Sequence, residues 1–158
     1  MLKFEHIVQV NDLTNSGLAA LTRSQLWQGL LLRARNPERF NPGLQCLAQP
    51  IVNNQFLRNI EAGESTFVEQ VTLEPEAAIH TETISDLKQL HAESTARIEE
   101  PQPGYLFVRF SYKRELEVTT DAVDVAEHLK SAYVQVDRDA VALIRLFAES
   151  ELFDQSIN

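Results

Sequence analysis

The chain has 158 residues, of which 44% are hydrophobic and 23% charged, with only 5 Gly and 6 Pro; this is the composition of a globular protein without low-complexity tracts. At this length about 70% of the unfolded surface is buried on folding, so one domain spanning residues 1–158 is expected and no disulfide or metal staple is required. The formal net charge of -9, with no basic stripe on any one element, argues against nucleic acid as a partner. The opening Met1-Leu2-Lys3-Phe4-Glu5-His6 lacks the apolar core of a signal peptide and no window approaches the roughly 20 apolar residues of a membrane span, so a cytoplasmic location is expected.

Residues 3–10 alternate, with Phe4, His6, Val8 and Val10 on one side and Lys3, Glu5, Ile7 and Gln9 on the other. That period of two predicts a half-buried first strand, ended by Asn11-Asp12. Thr22-Arg23-Ser24-Gln25 has the form of a capping box ahead of the helical run Leu26, Trp27, Leu30, Leu31 and Ala34. Arg33 and Arg35 fall near the end of this helix, where positive charge suits the dipole. Asn36-Pro37-Glu38 then restarts a short helical turn, with Asn as its cap and Pro in first position, and Asn41-Pro42-Gly43 stops it.

Over residues 44–112 there is no helical period but a succession of strand-like runs, at 44–52, 56–61, 66–74, 77–84, 90–98 and 105–113. Turn signals at Asn53-Asn54, Ala62-Gly63, Pro75, Ser85-Asp86 and Pro101-Gln102-Pro103-Gly104 are short enough for hairpins, which predicts an antiparallel meander. Pro50 inside the first run calls for an edge position or a bulge, and Cys46 in the same run reads as a small buried hydrophobe, not a catalytic thiol.

Residues 124–149 form the last long stretch, with Val125, Leu129, Ala132, Tyr133, Val136, Ala140, Leu143, Ile144 and Phe147 at three- and four-residue steps. Glu127, Lys130, Gln135, Arg138, Asp139, Arg145 and Glu149 fill the opposite side. A helix of that span is roughly 39 Å long and has more apolar surface than it can cover alone. The strands supply the cover. The fold class expected is α+β: a seven-stranded antiparallel curved sheet, built from one strand, two short helices and six strands, wrapped around a long C-terminal helix.

A sheet curved around such a helix encloses more space than its medium-sized side chains fill, so a cavity of several hundred Å³ is expected between them. On the last strand Leu106, Val108, Phe110 and Tyr112 read as the inner face, and pairing across the Pro-Gly turn puts Leu90, Ala92, Ser94, Ala96 and Ile98 inside as well. The strand at 77–84 is ambiguous: either His80 and Glu82 enter the cavity, or Ile79, Thr81 and Thr83 do. The turn at Pro75 favours the second arrangement, continuing a face of Phe67, Val71 and Leu73 that carries Glu69 inward. The lining residues expected are Trp27, Phe67, Val71, Phe110, Tyr112, Tyr133, Val136 and Ala140, with few polar groups to orient a guest.

As acid or base, the candidates are His80, Glu82 and Glu69. His6, His80, His91 and His128 have no close ligand spacing, and there is no P-loop, Gly-rich dinucleotide turn, nucleophile elbow or cysteine pair, so neither metal nor cofactor is expected.

The run Phe4-Glu5-His6-Ile7-Val8-Gln9-Val10-Asn11, followed by Leu21-Thr22-Arg23-Ser24-Gln25-Leu26-Trp27 and Leu32-Arg33-Ala34-Arg35-Asn36-Pro37-Glu38-Arg39-Phe40, resembles the AtaL-like branch of the START, polyketide-cyclase and pollen-allergen (SRPBCC) superfamily. Leu73-Glu74-Pro75, Val108-Arg109-Phe110-Ser111-Tyr112 and Ala132-Tyr133 extend the resemblance over nearly the whole chain. It implies the helix-grip fold with a hydrophobic cavity, and it carries over no catalytic residue. Members of the wider superfamily carry lipids, bind plant hormones, cyclise or dehydrate polyketides, or assist other proteins.

Three functions follow as expectations: a binder of a small hydrophobic or amphipathic molecule, an enzyme of the cyclase or dehydratase kind acting on a polyketide-like or aromatic substrate with a cavity acid/base group, and a protein-interaction module. Homodimerisation is compatible with each.

Overall fold

In a computed structural model describing residues 1–84, 90–116 and 122–150, the opening alternation becomes strand β1 (Leu2–Gln9). The meander follows as β2 (Leu44–Ala48), β3 (Gln55–Ala62), β4 (Ser65–Glu74), β5 (Ala78–Thr83), β6 (Ala92–Gln102) and β7 (Tyr105–Arg114). The sheet is seven-stranded in the order β1-β7-β6-β5-β4-β3-β2, antiparallel throughout. The first strand therefore crosses to the far edge and pairs with the last, setting His6 opposite Phe110 and Phe4 opposite Tyr112.

The inner face follows the period of two. Leu106, Val108 and Phe110 are buried on β7, as are Ile79, Thr81 and Thr83 on β5, while Glu82 is exposed. That resolves the two arrangements left open for β5 in favour of the Pro75 argument. The turn expected around Ser85-Asp86 lies outside the described residues. Asn53 and Asn54 both take positive φ, 54° and 60°, in a tight hairpin closed by Val52 and Gln55, the backbone that Asn tolerates better than most residues.

Several local expectations change. Pro50 lies beyond the end of β2 and not within it, because the chain leaves the edge after Ala48. Strand β6 runs on through Pro101 to Gln102 with a register shift after Glu99; the bulge absorbs the proline whose missing N–H would otherwise break the ladder. Phe67 is on the inner side of β4 but 39% exposed, since the first half of that strand extends past its cover.

Helix α1 (Arg23–Arg35) starts on the predicted capping box: the Thr22 side chain accepts from the Gln25 backbone N–H, and the Gln25 side chain accepts from the Thr22 N–H. The Pro37–Arg39 turn that follows is 3-10, and the Asn36 side chain bonds the Glu38 carboxylate instead of capping the backbone.

Helix α2 (Ala122–Glu149) crosses α1 closely enough that a Cβ on Gly29 would stand 2.3 Å from Ile144 Cγ2; only glycine permits this contact. The buried stripe of α2 is Asp137, Ala140, Val141, Ile144 and Ala148. Ala140 and Ile144 lie inside as predicted and Leu143 and Phe147 are half-buried; Asp137, Val141 and Ala148 are buried in addition, while Val125, Ala132 and Val136 are exposed. Arg145, expected on the exposed back, is partly buried and donates to the carbonyls of Val10 and Ala19, tying the helix to the end of β1. Asn11, fully buried, joins this corner: its side chain donates to Leu21 O and Gly104 O and accepts from the Leu21 N–H.

Candidate functional site

Among the described residues, α2 packs closely on α1 and β1 over its C-terminal half. Beneath its N-terminal half a cavity of about 370 Å³ opens between helix and sheet. Its walls are Leu30, Arg33 and Ala34 of α1; Pro37, Phe40, Asn41 and Leu44 of the following connection; Arg58 and Ile60 of β3; Ile79, Thr81, Ser94, Ala96, Phe110 and Tyr112 of the sheet's inner face; and Ala132, Tyr133 and Val136 of α2. Small side chains at Ala96, Ala132 and Ser94 leave the space unfilled.

One wall carries a buried polar network centred on Asp137, whose side chain is 0% exposed. Its Oδ2 accepts the Tyr112 hydroxyl at 2.5 Å and lies 2.7 Å from His6 Nε2, within hydrogen-bond distance. Arg33 Nη1 lies 3.0 Å from Oδ1, an ion-pair distance, yet Oδ1 accepts no hydrogen bond of acceptable geometry among the described residues. His6 is stacked between Phe4 and Phe110, and the Arg33 guanidinium lies 5.8 Å from the Phe110 ring centroid. Tyr112 stacks on Tyr133 with centroids 3.8 Å apart, and the Tyr133 hydroxyl accepts from Arg114 Nη1. Burial, and after it the Asp137 charge, pushes the Tyr112 hydroxyl far above its ordinary pKa, so it remains a neutral donor.

A second guanidinium, Arg58, also reaches the cavity. Its Nε and Nη2 engage Glu69 Oε1 at 3.0 and 2.9 Å, and its Nη1 donates to Ala34 O.

Of the expected lining residues, Phe110, Tyr112, Tyr133 and Val136 border the cavity. Trp27, Val71 and Ala140 do not: all three are buried in the packed core. Phe67 lies beyond the cavity on the open part of β4. The expectation of few polar groups is also corrected, since Arg33, Arg58, Thr81, Ser94 and Tyr112 all line it.

Among the acid/base candidates, His80 and Glu82 are on the outer face, where His80 Nδ1 lies 3.0 Å from Thr95 Oγ1. Glu69 faces inward only as the partner of Arg58. Glu82, His91 and Glu93 bring their ligand atoms within 4.8 Å of one another on that outer face, where the His91 ring holds the Glu93 carboxyl below its ordinary range. Cys46 is half-buried, and burial raises its thiol pKa, which favours the neutral thiol over the thiolate.

Asp137, Arg33 and His6 were not singled out by sequence reasoning. The signal was faint: an acid one position beyond the apolar Val136, and a His on the inner side of an alternating strand.

Among curated proteins none matches the chain in sequence. Its fold is similar to that of a di-domain aromatase/cyclase, StfQ, from the steffimycin biosynthetic pathway, with a TM-score of 0.73 and 14% identity over 96% of this chain; the chain spans about half of that protein, 51%. The Zhui aromatase/cyclase from Streptomyces superposes with a TM-score of 0.64 and 13% identity, covering 92% of this chain and 93% of that one. A START superfamily protein from Mycobacterium smegmatis superposes at 0.59 and 15% identity, covering 91% and 99%. Over residues 8–151 the sequence matches the family model described as acetylaranotin biosynthesis cluster protein L, AtaL. The chain thus belongs to the AtaL family and has the START-like helix-grip fold.

Proposed function

We propose that the protein binds a small hydrophobic or amphipathic molecule in the space between the sheet and the N-terminal half of α2. The observation that carries this is the 370 Å³ cavity itself, walled mainly by apolar side chains and within the size range of small-molecule sites. An interaction module would need that space filled. Nile red added to the folded protein is expected to show blue-shifted, enhanced fluorescence with unchanged far-UV circular dichroism. Val136→Trp and Ala132→Trp, which place a ring at the cavity wall, should suppress that signal without unfolding. Dye uptake that survives both substitutions would mean the dye sits elsewhere, and the cavity reading would fail.

A second reading, an enzyme of the cyclase or dehydratase kind, draws on the Asp137 network, which joins a buried carboxylate to a Tyr hydroxyl at the cavity wall. The aromatase/cyclases among the similar structures share the fold and support the reading only at that level. Its test is product analysis with a poly-β-ketone thioester: loss of protein-dependent cyclisation in Asp137→Asn, with dye binding retained, is the expected result. Product formation unchanged from the protein-free control removes this reading.

A further inference from the structure

We infer that the cavity selects an amphipathic carboxylate, an apolar body with one anionic head held by the guanidinium of Arg33. The inference rests on the reading of the cavity as a binding site and goes beyond it in assigning the charge of the ligand and the residue that reads it.

Among the described residues two positive side chains line the cavity, and they are not equivalent. Arg58 engages a partner through each of its three nitrogens, two on Glu69 and one on the carbonyl of Ala34. Arg33 makes one charged contact, through Nη1 to Asp137 Oδ1, and its guanidinium lies near the face of Phe110. Its Nε and Nη2 have no hydrogen-bond partner among the described residues, and its side chain is 24% exposed. A guanidinium has five N–H donors in a planar fork that matches a carboxylate two bonds at a time.

Asp137 does not saturate the fork. Its Oδ2 is occupied by Tyr112 and His6, and its Oδ1 meets Arg33 without hydrogen-bond geometry. Asp137 thus supplies charge that keeps Arg33 in place and leaves its Nε and Nη2 without a partner among the described residues. An apolar head would leave those donors unpaired next to apolar walls, a hydroxyl would accept from them without an opposite charge, and a cationic guest would be repelled at close range.

The overall charge of -9 opposes an incoming anion, most of it at a different range; Asp137 acts at contact but is already engaged by Arg33, Tyr112 and His6. Surface charges are screened beyond about 8 Å at physiological salt, whereas a carboxylate on Arg33 would sit at roughly 3 Å, partly out of water. Contact wins over the field. Added salt should therefore strengthen capture or leave it unchanged.

The test is titration calorimetry of the full chain with dodecanoate, dodecanol and dodecylamine, which share one apolar body. Dodecanoate is expected to bind about tenfold to a hundredfold more tightly than dodecanol, with dodecylamine weakest. Arg33→Gln should erase the preference for the acid over the alcohol, and Arg33→Lys should retain part of it. Because Arg33→Gln strands the Asp137 charge, the double variant Arg33→Gln/Asp137→Asn is measured alongside it and should show the same loss. Equal affinity for acid and alcohol, or an acid preference that survives both variants, overturns the role of Arg33 while leaving a binding cavity. No binding by any of the three overturns the cavity reading, and this inference with it.

Discussion

Over residues 140–148 helix α2 presses Ala140, Val141, Ile144 and Ala148 into a closed core with α1 and β1, whereas at Ala132 and Val136 the same helix stands over open space. The first region has a glycine at its closest crossing; the second has alanines and a valine facing a void. One amphipathic stripe thus does two things along its length. Where α1 packs directly on it at Gly29, apolar side chains are consumed in packing, and where the end of α1, its following connection and the curved sheet stand back from it, they are left for a guest.

The sharpest way to break the contrast is to open a void in the closed half. Ile144→Ala, at a side chain with 0% exposure, should lose about 2 to 5 kcal/mol in urea unfolding. A loss below about 1 kcal/mol would mean the two halves are packed alike.

Tyr112→Phe probes the boundary between them. Removing the hydroxyl from Asp137 should lose about 1.5 to 3 kcal/mol at neutral pH, the range for a hydrogen bond to a charged group. The folded-state pKa of Tyr112 lies above its ordinary 10.0, so this hydroxyl's contribution is complete below that pH and is lost as pH rises beyond it, when the unfolded chain ionises first. The gap between wild type and variant should therefore narrow in melts above about pH 10; a gap that widens contradicts the assignment.

Gly29→Ala sharpens the comparison from the other side. Alanine favours the helix by about 1 kcal/mol, but the added methyl meets Ile144, and a net loss of about 1 to 2 kcal/mol is expected. A stabilised variant would show that the crossing has room. Val136→Ala, at 48% exposure over the cavity, should change stability by no more than about 0.5 kcal/mol while altering Nile red affinity. A stability loss like that of Ile144→Ala would erase the distinction.

Much of the fold was legible because it is written in local periods. The capping box at Thr22, the alternation on β1 and β7, and the hairpin at Asn53-Asn54 each depend on residues within a few positions of one another. The position of the stripe on α2 was less so: Val136 and Asp137 are neighbours, and a hydrophobicity pattern puts the valine inside and the acid outside. Which one is buried depends on His6 of β1, Arg33 of α1 and Tyr112 of β7 converging on the acid, a match no local pattern encodes. Likewise Trp27 and Ala140 read as cavity residues because both are apolar and inward, and pattern alone does not distinguish filled interior from open interior.

The pairing of β1 with β7 carries a consequence for biosynthesis. Strand Leu2–Gln9 leaves the ribosome roughly a hundred residues before Tyr105–Arg114, its one sheet neighbour among the described residues. At about 5 to 20 residues per second, that is a wait of about 5 to 20 seconds with an alternating, half-apolar strand unpaired. Closure of the sheet, and with it the meeting of His6 with Asp137, waits until β7 and α2 have both been made. The nascent chain should therefore resist protease only once α2 has emerged, and until then it is a natural client for chaperones that shelter unpaired strands.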